Sequence, residues 1–159
     1  MYFDFKYTIV YLFIISCYGI LAQDIFISNL DNECMKCLCY AASNCDTSLG
    51  CDDGYCGPYR LGKRYWMDAG RPTIVGDDLA NSDYAFRHCA VTVPCAQGTI
   101  KHYLARHATD CNNDGVTDCD DYAMINFNGA FECGRSLQRN AAGRIYWQRY
   151  LNCGNVINK

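Results

Sequence analysis

The sequence predicts a small α+β domain that is mainly helical, has a minor β element and is held together by about six disulfides. Three observations support this class. Apolar residues recur at helical spacing in several segments that begin with a capping side chain. Residues 46–57 are rich in Asp, Gly and Ser around two cysteines, which is typical of a stapled turn or small hairpin. Thirteen cysteines in 159 residues indicate a disulfide framework.

The first predicted helix covers residues 32–44, with Asp31 or Asn29 available as its N-cap. After the hairpin region, residues 61–68 favour a short helix that ends near Gly70. Four further helical segments follow; the first is favoured by Asn81 or Ser82 as a cap, and the others by apolar residues at helical spacing. These patterns cover residues 82–89, 100–107, 122–126 and 145–153.

Residues 1–22 have the pattern of a secretory signal peptide, so the sequence predicts a secreted protein with one domain over residues 23–159. Residues 9–15 are apolar apart from one tyrosine hydroxyl, and small residues follow at Gly19 and Ala22. Cleavage after Gly19 competes with cleavage after Ala22, and a retained membrane anchor is the alternative. Nothing after this segment is apolar enough to span a bilayer.

The number of cysteines agrees with export. Removal of Cys17 with the signal peptide leaves an even set of 12, which predicts six disulfides in an oxidising compartment. Zinc bound by Cys34, Cys37 and Cys39 is the alternative. It is disfavoured because export favours disulfides over free thiolates.

Charge excludes two classes of function. The formal net charge is −3 and no basic stretch is present, which argues against nucleic-acid binding. The same mild acidity argues against killing bacteria by cationic attraction to their envelopes. Arg135, Arg139, Arg144 and Arg149 gather near the C-terminus but are spread over several turns, so they favour a solvated face.

A dense cysteine frame lies at the end of the first predicted helix and has the form Cys-x-Cys-x-x-Ala-Ser-x-Cys. It resembles the opening of the invertebrate-type (i-type) lysozymes, the family that includes the leech destabilases. In the family pattern a glutamate precedes the serine and is the catalytic acid. Cys37, Cys39, Ser43 and Cys45 match that pattern, whereas Ala42 stands in place of the glutamate. The resemblance therefore implies a lysozyme-like fold whose proton donor is missing.

Two further segments resemble the same family. Residues 56–59 with Tyr65-Trp66 look like its Cys-Gly-x-aromatic … Tyr-Trp segment, and residues 68–72 look like its Asp-Cys-Gly-Arg-Pro, with Ala69 replacing the cysteine. Taken in chain order, the resemblance implies six pairings, although the residues alone leave the connectivity open. These pairings are Cys34–Cys111, Cys37–Cys153, Cys39–Cys45, Cys51–Cys56, Cys89–Cys95 and Cys119–Cys133.

Glycoside hydrolysis uses two carboxyl groups, one to protonate the leaving oxygen and one to attack or support the cationic sugar. The resemblance implies that the second is an Asp between the next two cysteines, where this chain has Asp52 and Asp53 in a shortened loop. A solvated acidic turn is the alternative interpretation. Tyr55, Tyr59 and Tyr65 are candidate sugar-binding residues, because aromatic faces with polar tips suit sugar rings. A place in the core is the alternative for Tyr65.

The resemblance also extends to an isopeptidase activity of destabilase-type members, attributed to a Ser and a Lys. Gly62 takes the place of that lysine here, with Lys63 one residue later, and no serine lies between Cys51 and Cys56. A Ser–Lys nucleophile needs both groups within hydrogen-bond reach. The sequence therefore disfavours this activity.

Residues 110–121 match the twelve-residue calcium-loop template, with Gly115 at the sharp turn. The last ligand is an Asp and not the bidentate Glu that favours tight binding, and a metal-free turn is the alternative. A bound calcium ion is expected to be structural, and no cofactor is required. The expected ligands are Asp110, Asn112, Asp114, Asp118, Asp121 and the carbonyl oxygen of Val116.

Together these patterns predict a secreted protein that binds bacterial peptidoglycan glycan or a host partner without cutting it, because Ala42 cannot donate a proton. An active lysozyme is the first alternative, antibacterial or digestive, hydrolysing peptidoglycan β-1,4 glycosidic bonds with other carboxylates. An isopeptidase or a disulfide-rich interaction protein is the second.

Overall fold

The computed structural model describes residues 25–79 and 81–157, with side chains as far as residue 153. The predicted signal peptide lies outside these residues. Six α-helices and a three-stranded antiparallel sheet form the described part, which confirms the mainly helical α+β class. The helices are α1 (Asn32–Ser43), α2 (Lys63–Asp68), α3 (Ser82–Val91), α4 (Val93–His107), α5 (Cys119–Asn128) and α6 (Ala141–Ile157). The strands are β1 (Cys51–Asp52), β2 (Tyr55–Cys56) and β3 (Leu61–Gly62), and 3-10 turns cover Ala130–Glu132 and Leu137–Arg139. No helix in this part is long and apolar enough to cross a membrane.

Helix α1 is fixed at both ends by its own sequence. The carboxylate of Asp31 accepts a hydrogen bond from the backbone N–H of Cys34 at 2.7 Å, which satisfies a donor that the first turn leaves free. Asn44 ends the helix in the left-handed conformation, at φ 58°. One face buries Met35, Leu38 and neighbouring small residues against α6, its most extensive packing partner.

The small sheet begins with a two-residue hairpin. Asp52 pairs with Tyr55, so Asp53 and Gly54 form the turn, and both have positive φ angles, as a type I′ turn requires. A close backbone approach follows at Gly57, where a Cβ atom would overlap the carbonyl group of Ala90. Only glycine therefore lets the hairpin lie against α3.

Helices α2, α3 and α4 pack together behind the sheet. Trp66 of α2 is fully buried, and its indole N–H donates to the carbonyl oxygen of Pro72 at 2.7 Å. Its ring lies 5.8 Å from that of Phe86. This core supports the sheet from one side, while α1, α5 and α6 form the other half of the domain.

Six disulfides join the described cysteines. Two of the implied pairings, Cys34–Cys111 and Cys119–Cys133, are wrong: the structure joins Cys34 to Cys119 and Cys111 to Cys133. The other four have the expected partners and are Cys37–Cys153, Cys39–Cys45, Cys51–Cys56 and Cys89–Cys95.

The exchange follows from helix packing. Cys119 is the first residue of α5, and α5 packs against α1, which brings Cys119 to Cys34 with 5.6 Å between their Cα atoms. Cys111 lies earlier in the loop and meets Cys133, beyond the other end of α5, at a Cα distance of 5.5 Å. Two cysteines eight positions apart in one loop cannot be assigned by chain order, because their partners depend on which helix each one faces.

Candidate functional site

A cleft of about 570 Å³ opens between the two halves of the domain; we call it the main cleft. The end of α1, the β1–β2 turn, the segment between β2 and β3, and helices α5 and α6 form its walls. A second hollow of about 390 Å³, here called the side cleft, adjoins it. Both hollows are lined by Tyr55, Arg60, Asn126 and Phe127, so the two form a continuous groove.

Ala42, which the sequence pattern predicts to replace a catalytic glutamate, lines the main cleft. Its neighbour Ser43 is used structurally: the hydroxyl donates to the carbonyl oxygen of Pro58 at 2.6 Å and accepts from the N–H of Asp46 at 3.1 Å. These bonds fasten the end of α1 to the segment that follows the hairpin. The helix therefore holds position 42 in the cleft, where its side chain has no group that could donate a proton.

The two candidate carboxylates differ in position. Asp53 lines the main cleft from the tip of the hairpin. Asp52 does not line it, and its carboxylate lies 3.9 Å from the guanidinium of Arg60. Among the described residues that line the main cleft, Asp53 has the only carboxylate. One carboxyl group is half of what glycoside hydrolysis uses.

The three tyrosines predicted to bind sugar differ in exposure and in the hollow that each one lines. Tyr55 is 49% exposed and lines both hollows. Tyr59 lines the main cleft but is 2% exposed, and its hydroxyl accepts from the side-chain amide of Gln97 at 3.0 Å. Burial raises the pKa of Tyr59, while the bond from Gln97 opposes the shift. Tyr65 lines the side cleft and stacks on Tyr103, with ring centroids 3.7 Å apart.

Two buried polar atoms along the groove have no hydrogen-bond partner within the described part of the chain. They are the hydroxyl oxygen of Tyr65 and the side-chain carbonyl oxygen of Asn126. The amide nitrogen of Asn126 donates to the hydroxyl of Tyr146 at 3.4 Å. Burial is the main reason that the pKa of Tyr65 lies well above its usual range, and the nearby Tyr103 and Tyr146 raise it further. Unpaired buried polar atoms are costly and rare in native proteins, so each of these two calls for a partner such as an ordered water or a ligand.

Arginines on the cleft wall were not recognised from the sequence. Arg139 and Arg149, which the sequence favoured as part of a solvated face, line the main cleft together with Arg60. Arg60 also lies over the ring of Tyr55, 5.7 Å from its centroid. No local pattern could identify them, since their meeting depends on how α6 packs against α1.

Two neighbouring residues, Gly62 and Lys63, bear on the isopeptidase hypothesis. Gly62 lines the side cleft. Lys63 does not, and its ammonium group lies 2.5 Å from the carboxylate of Asp83 in an ion pair. That ion pair directs the ammonium group to Asp83, outside the lining of the side cleft.

The loop over residues 110–121 is closed by its own hydrogen bonds. The carboxylate of Asp110 accepts from the backbone of Asn113 at 2.7 Å and of Gly115 at 2.9 Å. The side-chain oxygen of Asn112 accepts from the backbone N–H of Asp114 at 2.9 Å, and the carboxylate of Asp114 accepts from the backbone N–H of Val116 at 2.9 Å. Across the residues that the structure describes, no group of three or more His, Cys, Asp or Glu side chains is placed to hold a metal ion.

Asp121, the twelfth residue of that loop, is fully buried. Its carboxylate accepts three backbone hydrogen bonds, from Cys111 at 2.8 Å, Asn112 at 3.2 Å and Asp118 at 2.9 Å. With Asp118 it also forms the capping box that begins α5. The chain's own donors thus occupy the side chain that was expected to be a calcium ligand.

Comparison with known proteins points to one family. A family model described as Destabilase matches residues 31–153. The lysozyme of Magallana gigas is 26% identical over 137 residues, which cover 82% of this chain and 85% of that protein. The lysozyme of Ostrea edulis is 29% identical over 133 residues, covering 81% and 85%. Among solved structures, a chain in the crystal structure of Aeromonas hydrophila PliI in complex with Meretrix lusoria lysozyme is similar with a TM-score of 0.57 at 23% identity. That match covers 79% of this chain and 92% of the other, and at this identity it concerns the fold.

Proposed function

Because the chain belongs to the Destabilase family of invertebrate-type lysozymes, we propose that its cleft binds bacterial cell-wall glycan without hydrolysing it. The observation that carries this proposal is Ala42, which presents a methyl group in the main cleft where the family pattern has its acid. Loss of a general acid typically lowers the rate by about 100- to 10,000-fold. We further propose that the protein is secreted, in keeping with its six disulfides.

Binding is supported by features that do not depend on the missing acid. The exposed ring of Tyr55 offers a flat apolar face beside both hollows. The hydroxyl of Tyr65 and the side-chain carbonyl oxygen of Asn126 are buried and unpaired beside the groove, so a ligand that shifts the groove wall enough to reach them would gain their hydrogen bonds. A concave groove with a few polar groups of this kind is the usual form of a small-ligand site.

The test is a peptidoglycan pull-down beside a cell-wall turbidity assay on the same preparation. We expect the native protein to be retained by insoluble peptidoglycan and to leave the suspension turbid. Robust clearing by the native protein would show that other carboxylates perform the chemistry. No retention at all would remove glycan binding and leave a host partner as the role of the cleft.

Ala42→Glu sharpens this test, and Ala42→Gln is its matched control, since glutamine has the same size without the acid. If Asp53 occupies the position of the second carboxylate, Ala42→Glu is expected to raise clearing by at least about 100-fold over Ala42→Gln. Adding Asp53→Asn to Ala42→Glu should abolish that gain. Equal clearing by the Glu and Gln variants would mean that the cleft geometry is lost as well as the acid.

Neither binding nor lysozyme-type hydrolysis needs a cofactor. A calcium ion in the loop over residues 110–121 is a separate hypothesis about stability. Its support is the spacing of oxygen-bearing side chains, from Asp110 to Asp118. A cation there has to compete with the backbone N–H groups that these oxygens already accept.

A further inference from the structure

The main cleft is positively charged although the chain as a whole is acidic. Arg60, Arg139 and Arg149 line it against the single carboxylate of Asp53, whereas the formal net charge of the chain is −3. Ala42 adds no negative charge at the position where the family pattern has a glutamate. Charges of one sign in a concave surface focus the local field and attract ligands of the opposite sign.

These arginines are not neutralised by the protein. Arg149 makes no side-chain hydrogen bond or ion pair within the described residues. Arg139 donates to the neutral amide oxygen of Asn128 at 3.2 Å. The guanidinium of Arg60 lies 3.9 Å from the carboxylate of Asp52, whose side chain is 83% exposed. An ion pair this exposed binds its two groups only weakly. The guanidinium groups therefore remain available to a ligand.

The positive charge continues along α6 beyond the main cleft. Arg149 also lines a neighbouring shallow hollow, where Arg144 lies on the same side of the helix. Arg144 donates to the carbonyl oxygen of Gln138 at 3.1 Å, which fixes its side chain without neutralising it. A ligand longer than one sugar thus meets guanidinium groups at successive points of the groove.

We propose that the cleft selects acidic glycans, whose sugar rings bear carboxylates, over neutral glycans of the same length. This inference rests on the proposed function, because it assumes that the groove binds sugar. A guanidinium can donate two parallel hydrogen bonds to one carboxylate, a geometry that a neutral hydroxyl cannot match. Tyr55, under Arg60, supplies the ring face against which a sugar can pack.

The experiment is calorimetric titration of the full mature chain with two oligosaccharides of equal length. One is a chito-oligosaccharide, which is neutral, and the other alternates N-acetylglucosamine with glucuronate. We expect the acidic oligosaccharide to bind at least about tenfold more tightly at low salt, and to lose that advantage as salt screens the charges. Insoluble peptidoglycan is tested in parallel, to separate a bacterial wall from another source of glycan carboxylates.

Variants locate the effect. Arg139→Gln and Arg149→Gln are each expected to weaken acidic binding about tenfold and neutral binding much less. Arg87→Gln, on the exposed face of α3 and outside all three hollows, is the matched control and should change neither. Equal affinity for the two oligosaccharides, or equal losses in all three variants, overturns the proposal. If peptidoglycan is retained while the acidic oligosaccharide does not bind, this proposal fails and the proposed function stands. If neither peptidoglycan nor either oligosaccharide binds, both fail.

Discussion

The main cleft and the loop over residues 110–121 are both rich in polar side chains, yet they use them in opposite ways. In the loop, the carboxylates of Asp110, Asp114, Asp118 and Asp121 accept hydrogen bonds from the chain's own backbone. The carboxylate of Asp120 accepts one from the hydroxyl of Tyr150 at 2.6 Å. Along the cleft, the Tyr65 hydroxyl and an Asn126 oxygen have no partner within the described residues, and the guanidinium of Arg149 has none either. The loop uses its polar groups to hold its shape, whereas the cleft leaves several of its polar groups unpaired.

The contrast distinguishes a structural loop from a binding site when both look functional in the sequence. Spacing alone made residues 110–121 a calcium-site candidate, and it gave no sign that Arg139 and Arg149 meet in a cleft. The deciding quantity is whether each polar group already has a partner inside the protein. Substitutions in the loop should therefore cost stability, and substitutions along the cleft should cost binding.

The largest expected effect is that of Asp121→Ala. It leaves three backbone N–H groups without their acceptor in a buried position, so we expect the free energy of unfolding to fall by at least about 3 kcal/mol. Chemical denaturation of the oxidised protein measures the change. Asp114→Ala is the control, because that carboxylate is exposed and should cost less than about 1 kcal/mol. Similar losses for both variants would break the contrast between buried and exposed parts of the loop.

Alkaline pH should act on the buried tyrosines beside the cleft. Burial raises the pKa values of Tyr65 and Tyr146 in the folded protein above the value near 10 of an unfolded tyrosine. The unfolded chain then loses protons that the folded chain keeps. These two groups therefore leave the free energy of unfolding unchanged below about pH 10. Above that pH, each tyrosine lowers it by about 1.4 kcal/mol per pH unit.

Denaturant midpoints between about pH 9 and 11 check this prediction. The double replacement Tyr65→Phe and Tyr146→Phe removes both groups, so its midpoint should fall less steeply with pH than that of the native protein. Parallel slopes for the two proteins would mean that other groups control alkaline unfolding.

Tyr65→Phe is expected to change the free energy of unfolding less. Removal of a buried side-chain group usually destabilises a protein, whereas here we expect no loss. Its hydroxyl is buried without a partner, so removing it should leave the free energy of unfolding unchanged or raise it by up to about 1 kcal/mol. Tyr122→Phe is the matched control, since the hydroxyl of Tyr122 donates to the carbonyl oxygen of Ser28 at 2.5 Å. That variant should lose about 1 kcal/mol. A loss in Tyr65→Phe as large as in Tyr122→Phe would show that the Tyr65 hydroxyl is satisfied in solution.

Calcium is expected to have the smallest effect. A ligand that binds only the folded state raises stability by mass action, but a cation in the loop must displace hydrogen bonds that the carboxylates already accept. We expect millimolar calcium to raise the melting temperature slightly, magnesium to raise it less, and Asp114→Ala to remove the difference. Absence of any heat in a calorimetric titration at millimolar calcium would make the loop an ordinary hydrogen-bonded turn.

Features that depend on near neighbours in the chain could be predicted from the residues. Asp31, one of the two predicted N-caps, and a hairpin within residues 46–57 each require residues only a few positions apart, and the structure contains both. The local disulfides that the family resemblance implied are also present. The Cys-x-Cys frame was sufficient to identify the family, and Ala42 was visible within it. Short-range geometry is set by backbone preferences and single hydrogen bonds, which a pattern of residues expresses directly.

Which distant groups meet depends on how the whole domain packs, and this emerged from the three-dimensional fold. It joins Cys34 to Cys119 and Cys111 to Cys133, buries most of Tyr59 in the cleft wall, and brings Arg139 and Arg149 to one wall of the cleft. Each outcome depends on the packing of helices that are far apart in the chain, above all α1 against α5 and α6. Helix packing is determined by the shapes of whole apolar faces, so no local spacing in the sequence could specify it.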